Sequence, residues 1–224
     1  MPKIRTVDIF YKILIILLAY LMGSIPTSVW VGKFFYGIDV RDYGSGNAGA
    51  TNAMRTLGAK AGIVVFIIDM LKGYLAVRLL YLTDFYIPET GLFVDFQLYL
   101  GLAAMLGHVF PIFAGFRGGK GVATLSGVVF ALHPYGALFV FLTWVVTLLI
   151  FGYVSLSSMI AAFSFPTILI FVYRTQYPSL VIFAFILAVL MLFTHQKNIE
   201  RLMRGQEKKI KLKKNKTPIE GKSQ

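Results

Sequence analysis

The sequence predicts an all-α protein, a polytopic membrane bundle of seven transmembrane helices, and three observations lead there. Of 224 residues, 57% are hydrophobic and only 14% charged, with a mean hydropathy of +0.73, values that soluble domains rarely reach. The apolar residues fall in long runs, most near the ~20 residues that cross a bilayer as a helix. Most of the charges fall between the runs, with the cations concentrated on particular connections. Cysteine is absent, which excludes disulfides, thiolate nucleophiles and Cys–zinc sites.

Taken in order, the spans are Ile9 to Phe35, Ala61 to Leu82, Asp95 to Phe113, Val122 to Leu132, Tyr135 to Phe151, Leu156 to Tyr173 and Tyr177 to Thr194. Basic residues precede the first run, but it lacks a small-residue cleavage pattern and so reads as a retained span. The second carries Asp69 and Lys72, three residues apart on one helix face. Ionisable groups in lipid are costly and usually pair, so these two are expected to pair with each other, while Arg78 snorkels outward. The fourth run is short for a bilayer crossing. His133-Pro134 parts it from the fifth, either as a tight turn between two spans or as the bend of a re-entrant pair. Residues 1–207 form the membrane domain, and 208–224 a basic tail suited to anionic headgroups and poorly suited to nucleic acid.

Loop charge sets the orientation. Arg41, Arg55 and Lys60 lie between the first two spans, and Arg117 and Lys120 lie between the third and fourth. The connection Thr83 to Val94 holds only Asp84 and Glu89. Positive loops face the cytoplasm, which with seven spans places the N-terminus outside and the C-terminus inside. Lys3, Arg5 and Lys12 run against this sorting. The polar motifs then share one membrane face.

The segment Gly115 to Thr124, GFRGGKGVAT, sets four glycines and two cations between apolar runs. Glycines 118, 119 and 121 let successive amides converge on a ligand without a Cβ in the way. Lys120 adds a point charge, and a helix starting near Gly121 adds its N-terminal dipole. An anion such as phosphate suits this cradle, although a glycine-rich surface turn with an interfacial Arg–Lys pair has the same composition. Walker A spacing is missing, which disfavours nucleotide.

Asp39 to Lys60 is far longer than an ordinary bundle connection. Arg55 offers a planar fork for phosphate oxygens, and Ser45 and Asn47 can bond hydroxyls or the same anion. His108 lies twelve residues before Lys120, and base, phosphate contact and packed residue all remain open for it. Ser155 fits a helix cap, leaving Ser157 or Ser158 to face a cavity. His195 and Asn198 share one helical stripe, and Glu200, Arg204 and Glu207 make a second that reads as a solvated face. No metal spacing, HxxxxD pattern or Ser-His-Asp triad can be assembled. An organic-phosphate transporter is the rival class, but its site would lie near the midplane, commonly between internal repeats.

Three stretches occur in order from Gly23 to Glu207: GSIPTSVWVGKFFYGIDVRDYGSGNAGATNAMRTLG, GHVFPIFAGFRGGKGVATLSG and HQKNIERLMRGQE, with IIDMLKG from Ile67 between the first two. They resemble the motifs of the bacterial acyl-phosphate:glycerol-3-phosphate acyltransferase family, usually called PlsY. The resemblance implies a seven-helix bundle in the bacterial inner membrane with its site on the cytoplasmic side. It further implies acyl transfer from acyl phosphate to the 1-hydroxyl of glycerol 3-phosphate, giving lysophosphatidic acid and inorganic phosphate without cofactor or metal. By position, Ser45, Arg55, Lys120, His195 and Asn198 match catalytic positions. Asn47, Gly118, Gly119, Gly121 and Ser158 match substrate-binding positions, and His108 matches a family histidine.

Overall fold

The structure, a computed structural model, describes residues 6–209; most of the basic tail and the cations Lys3 and Arg5 lie outside the described residues. Among these residues every regular element is helical. Helices α1 (Thr6–Gly23) and α2 (Thr27–Tyr36) divide the run expected as the first span, Ile9 to Phe35, and are bent by 43° to one another. Pro26 supplies no amide to continue the ladder, so the chain turns at Ser24–Pro26. The turn exposes the Ile25 carbonyl, and Lys72 Nζ donates to it at 2.8 Å. Broken backbone at membrane depth needs such a partner.

A short helix, α3 (Ala50–Thr56), leads into α4 (Ala59–Arg78), and α5 (Gly91–Val109) follows the acidic connection. Then come α6 (Val122–Leu132), α7 (Pro134–Phe151) and α8 (Val154–Thr167), which widens into a π-turn over Ile168–Val172. Last are α9 (Pro178–Thr194) and α10 (Gln196–Met203), bent by 63° at His195. Among the described residues, three helices are long and apolar enough to cross a membrane, or up to five if each bent pair is one span. His133 Nδ1 accepts from the Gly136 amide at 2.9 Å, so His133-Pro134 is a capped turn into α7.

Helix α4 sits centrally, packed on α1, α3, α5 and α6. Small residues permit this: a Cβ on Gly73 would strike the Thr124 carbonyl, and one on Gly127 the Met70 carbonyl. Such close backbone approach is how membrane helices associate where lipid is as apolar as leucine. The core runs through Val77, Met105, Val128, Leu169 and Leu187, while Phe10, Leu149, Ile150 and Phe171 face outward. In α7 only 11% of the span is buried, so that helix is a lipid-facing wall. Lys12 on α1 stacks over Tyr86 of the acidic connection at 4.6 Å, which puts the start of α1 at the end of the bundle bearing that loop. Arg78 lies over Tyr81 at 3.8 Å, its head directed into the adjoining aromatic cluster.

Candidate active site

Three separate stretches build the site, and the first is organised by a residue that spacing did not reveal. Buried Asn52 on α3 donates through Nδ2 to the Val40 and Tyr43 carbonyls at 2.7 and 3.1 Å. Its Oδ1 accepts from the Ser45 amide at 2.8 Å and the Ser45 hydroxyl at 3.1 Å. One buried amide thereby satisfies four loop groups, which a glycine-rich segment cannot do with its own backbone. The same loop is bolted to the second stretch through Arg41. Its fork grips Asp39 at 2.8 and 3.0 Å, and Nη1 donates to the Ala114 carbonyl at 2.8 Å. Hydrogen bonding to Arg41 outweighs burial and holds the Asp39 carboxyl far below the usual carboxylate range. Arg55 stands exposed on α3.

The second stretch leaves α5 and turns back beneath it. The amides of Gly118 and Gly119 donate to the carbonyls of Val109 and His108 at 3.2 and 3.1 Å. These two amides are therefore occupied, which narrows the expected cradle to Lys120, Gly121 and the first turn of α6. Gly121 caps that helix at φ +84°, a left-handed conformation that side chains rarely adopt. Gly119 lies directly on the His108 ring, where a Cβ would collide with it. His108 itself is buried, with Nδ1 3.0 Å from the Thr124 hydroxyl.

The third stretch is the α9–α10 elbow. His195 Nδ1 lies 2.9 Å from the Met191 carbonyl, an acceptor only, so Nδ1 carries the ring proton and Nε2 is the basic nitrogen. One turn later Asn198 accepts from Lys120 Nζ through Oδ1 and donates through Nδ2 to Glu207 at 2.7 Å. Glu207 is not on a solvated face as the stripe suggested. Its side chain is 7% exposed and also accepts from Ser155 Oγ at 2.7 Å and Arg201 Nε at 3.1 Å. Burial alone would raise its pKa, but those hydrogen bonds and the Arg201 and Lys120 charges hold it below the ordinary value. Glu200 and Arg204 do form the exposed pair expected, at 2.8 Å.

The serines divide differently from expectation. Ser155 caps nothing, because its hydroxyl reaches Glu207. Ser157 and Ser158 donate back to the Tyr153 and Val154 carbonyls at 2.8 and 2.9 Å, and Ser158 also accepts from Trp144 Nε1 at 3.2 Å. Neither hydroxyl bonds to another site residue.

Lys120 is where the stretches meet. Burial pushes its pKa down to about 8, with Glu207 opposing and the Arg201 and Arg55 charges reinforcing the shift. A cation gathered with two others and partly stripped of water is poised for an anion, which would relieve all three. Its charge is lost as pH rises through about 8. The kcat/KM of any reaction needing an anion on Lys120 should therefore fall on that alkaline limb, with kcat holding to higher pH because bound anion restores the proton. A pH–rate profile of wild type against Lys120→Arg checks this: the arginine variant should keep its remaining activity through the limb.

A family model for glycerol-3-phosphate acyltransferase matches residues 13–205. The chain is 44% identical over 199 residues to the glycerol-3-phosphate acyltransferase of Listeria welshimeri serovar 6b, covering 89% of this chain and 96% of the relative. It is 46% identical over 202 residues to glycerol-3-phosphate acyltransferase 2 of Bacillus anthracis, covering 89% and 99%. Its fold is similar to a crystal structure of PlsY, an integral membrane glycerol 3-phosphate acyltransferase, in the glycerol 3-phosphate form, with TM-score 0.80 and 38% identity over 90% of this chain and 96% of that one. The lysophosphatidic acid form of PlsY aligns with TM-score 0.77 over the same shares.

Proposed function

From the premise that this chain belongs to the glycerol-3-phosphate acyltransferase family, membrane acyltransferases of phospholipid synthesis, we propose that its acyl donor is acyl phosphate and its product 1-acylglycerol 3-phosphate, lysophosphatidic acid. The observation that carries this reading is the contact of Lys120 with Asn198, which joins the glycine loop to the α9–α10 elbow, with the Arg201 and Arg55 charges near enough to bear on Lys120. Two phosphate-bearing substrates must be held together there, and a mixed anhydride needs little beyond positioning and charge stabilisation.

In this scheme Lys120 and the free amides from Lys120 into α6 hold the phosphate of the donor, with Gly118 and Gly119 shaping the loop. Arg55, Ser45 and Asn47 hold glycerol 3-phosphate, and His195 Nε2 with Asn198 orients its 1-hydroxyl. The hydroxyl oxygen bonds to the acyl carbon as the bond from that carbon to the phosphate oxygen breaks. The proton ends on the departing phosphate, passed directly or by way of His195 Nε2. Glu207 is a poor base, because donors already occupy its carboxylate. Ser158, whose hydroxyl is held by Val154 and Trp144, has no step in this scheme, which uses no metal or cofactor.

The site lies on the cytoplasmic side of a bacterial inner membrane in a seven-span domain, residues 1–207, with the N-terminus outside and the tail on anionic headgroups. In support, Lys12 meets the acidic connection at the opposite sequence end of α5 from the glycine loop. An acyl chain can then enter sideways from lipid. The test is purified protein in detergent with acyl phosphate and glycerol 3-phosphate. Release of inorganic phosphate matched by lysophosphatidic acid is the expected result, and release without glycerol 3-phosphate, or none at all, overturns the reading.

A further inference from the structure

Beneath the glycine loop lies a buried polar cluster that none of the chemistry above uses. Asp69 Oδ1 on α4 accepts from Thr27 Oγ1 on α2 at 2.8 Å and from Lys72 Nζ at 2.7 Å, and lies 3.8 Å from His108 Nδ1 on α5. Lys72 Nζ reaches on to the Ile25 carbonyl at the α1–α2 break. His108 meets Thr124 on α6 through Nδ1 and supports Gly119 with the rest of its ring. Asp69 and Thr124 are at most 1% exposed, and Thr27, Lys72 and His108 are 5% exposed.

A buried ion pair is weak evidence for stability, since well-packed apolar side chains commonly serve a fold as well or better. What this pair does instead is fix the relative placement of segments that each lead to the site. Helix α2 carries the chain into the Ser45 loop, α5 ends under Gly118 and Gly119, and α6 begins at the residue after Gly121. Lys120 lies between the His108 brace and the Thr124 helix, so its position follows from both.

We propose that Asp69, His108 and Thr124 are positioning residues that set the height of Lys120 relative to the first loop. This rests on the acyl phosphate reading given above. Asp69 holds α2 and orients His108, while His108 and Thr124 grip the two ends of the glycine loop. Loss of the grip lets Lys120 shift without unfolding the bundle, so donor binding suffers before stability does.

The experiment uses the full-length enzyme in detergent. Thr124→Val keeps the shape of the side chain and removes its hydroxyl. The expected result is a KM for acyl phosphate raised about five- to tenfold, the scale of one lost buried hydrogen bond, with KM for glycerol 3-phosphate and Tm near wild type. Thr124→Ser should restore the wild-type value. A second variant, Asp69→Leu with Lys72→Met, replaces the ion pair with apolar side chains and should raise the same KM, with a lowered Tm because the Ile25 carbonyl and the Thr27 hydroxyl lose their partners. Folded Thr124→Val with unchanged KM for acyl phosphate overturns the inference, as does a serine variant that fails to rescue. Failure of the underlying reading is distinct, because wild type itself would then release no phosphate.

Discussion

Lys120→Ala should lower kcat/KM for acyl phosphate by about a hundredfold to a thousandfold, the scale of removing one preorganised donor from a site of developing negative charge. The reason is that Lys120 alone among the gathered cations is anchored in the glycine loop, on the element whose helix dipole also faces the site. Its contact with Asn198 Oδ1 ties the loop to the third stretch, so the alanine also frees Asn198 from one of its two partners. The fold should survive. The packing of the loop depends on Gly118 and Gly119 under α5 and on Gly121 at the start of α6, not on the lysine. Initial rates with each substrate varied in turn, together with Tm in detergent, decide the matter. A variant with wild-type kcat/KM would remove Lys120 from the reaction, and one that melts early would make it a structural residue.

Much of the fold was legible because lipid imposes a simple rule on composition. The short run Val122 to Leu132 and the run ending at Phe151 match α6 and α7 at those bounds, since Gly121, His133-Pro134 and Gly152 punctuate them. The break within the first run was harder to read. Gly23, Ser24 and Pro26 mark its place, but what stabilises the break is Lys72, 47 residues further along the chain from Ile25. The pairing of Asp69 with Lys72 follows from an i,i+3 spacing, whereas the addition of Thr27 and His108 to the same carboxylate does not. The site divides in the same way. Residue types that bind anions announce themselves locally as Arg55 and Lys120. The residues that hold the loops in place, Asn52 and Glu207, look like an ordinary loop amide and an ordinary surface acid until distant segments close on them.

Glu207→Ala should damage this protein in both stability and rate. The substitution leaves Ser155 Oγ, Asn198 Nδ2 and Arg201 Nε without their shared acceptor. It also removes the carboxylate that opposes the positive charge gathered at Lys120, Arg55 and Arg201. Orphaning buried donors costs about 2 kcal/mol, which should be read as a lowered Tm, and the drop should shrink with added phosphate because an anion can offset the same charges. Glu207→Gln keeps an acceptor oxygen for Ser155 or Asn198 but no charge, so its Tm should lie between the two while kcat/KM stays low. Titration follows the same logic. Because the folded carboxyl is held below its ordinary value, its contribution is present above the unfolded pKa and lost as pH falls through the folded one. Wild type should therefore lose Tm on the acid side, and Glu207→Ala should lose less over that range. If both substitutions left Tm and rate unchanged, Glu207 would be no more than a surface acid, and Asn198 would owe its position to Lys120 alone.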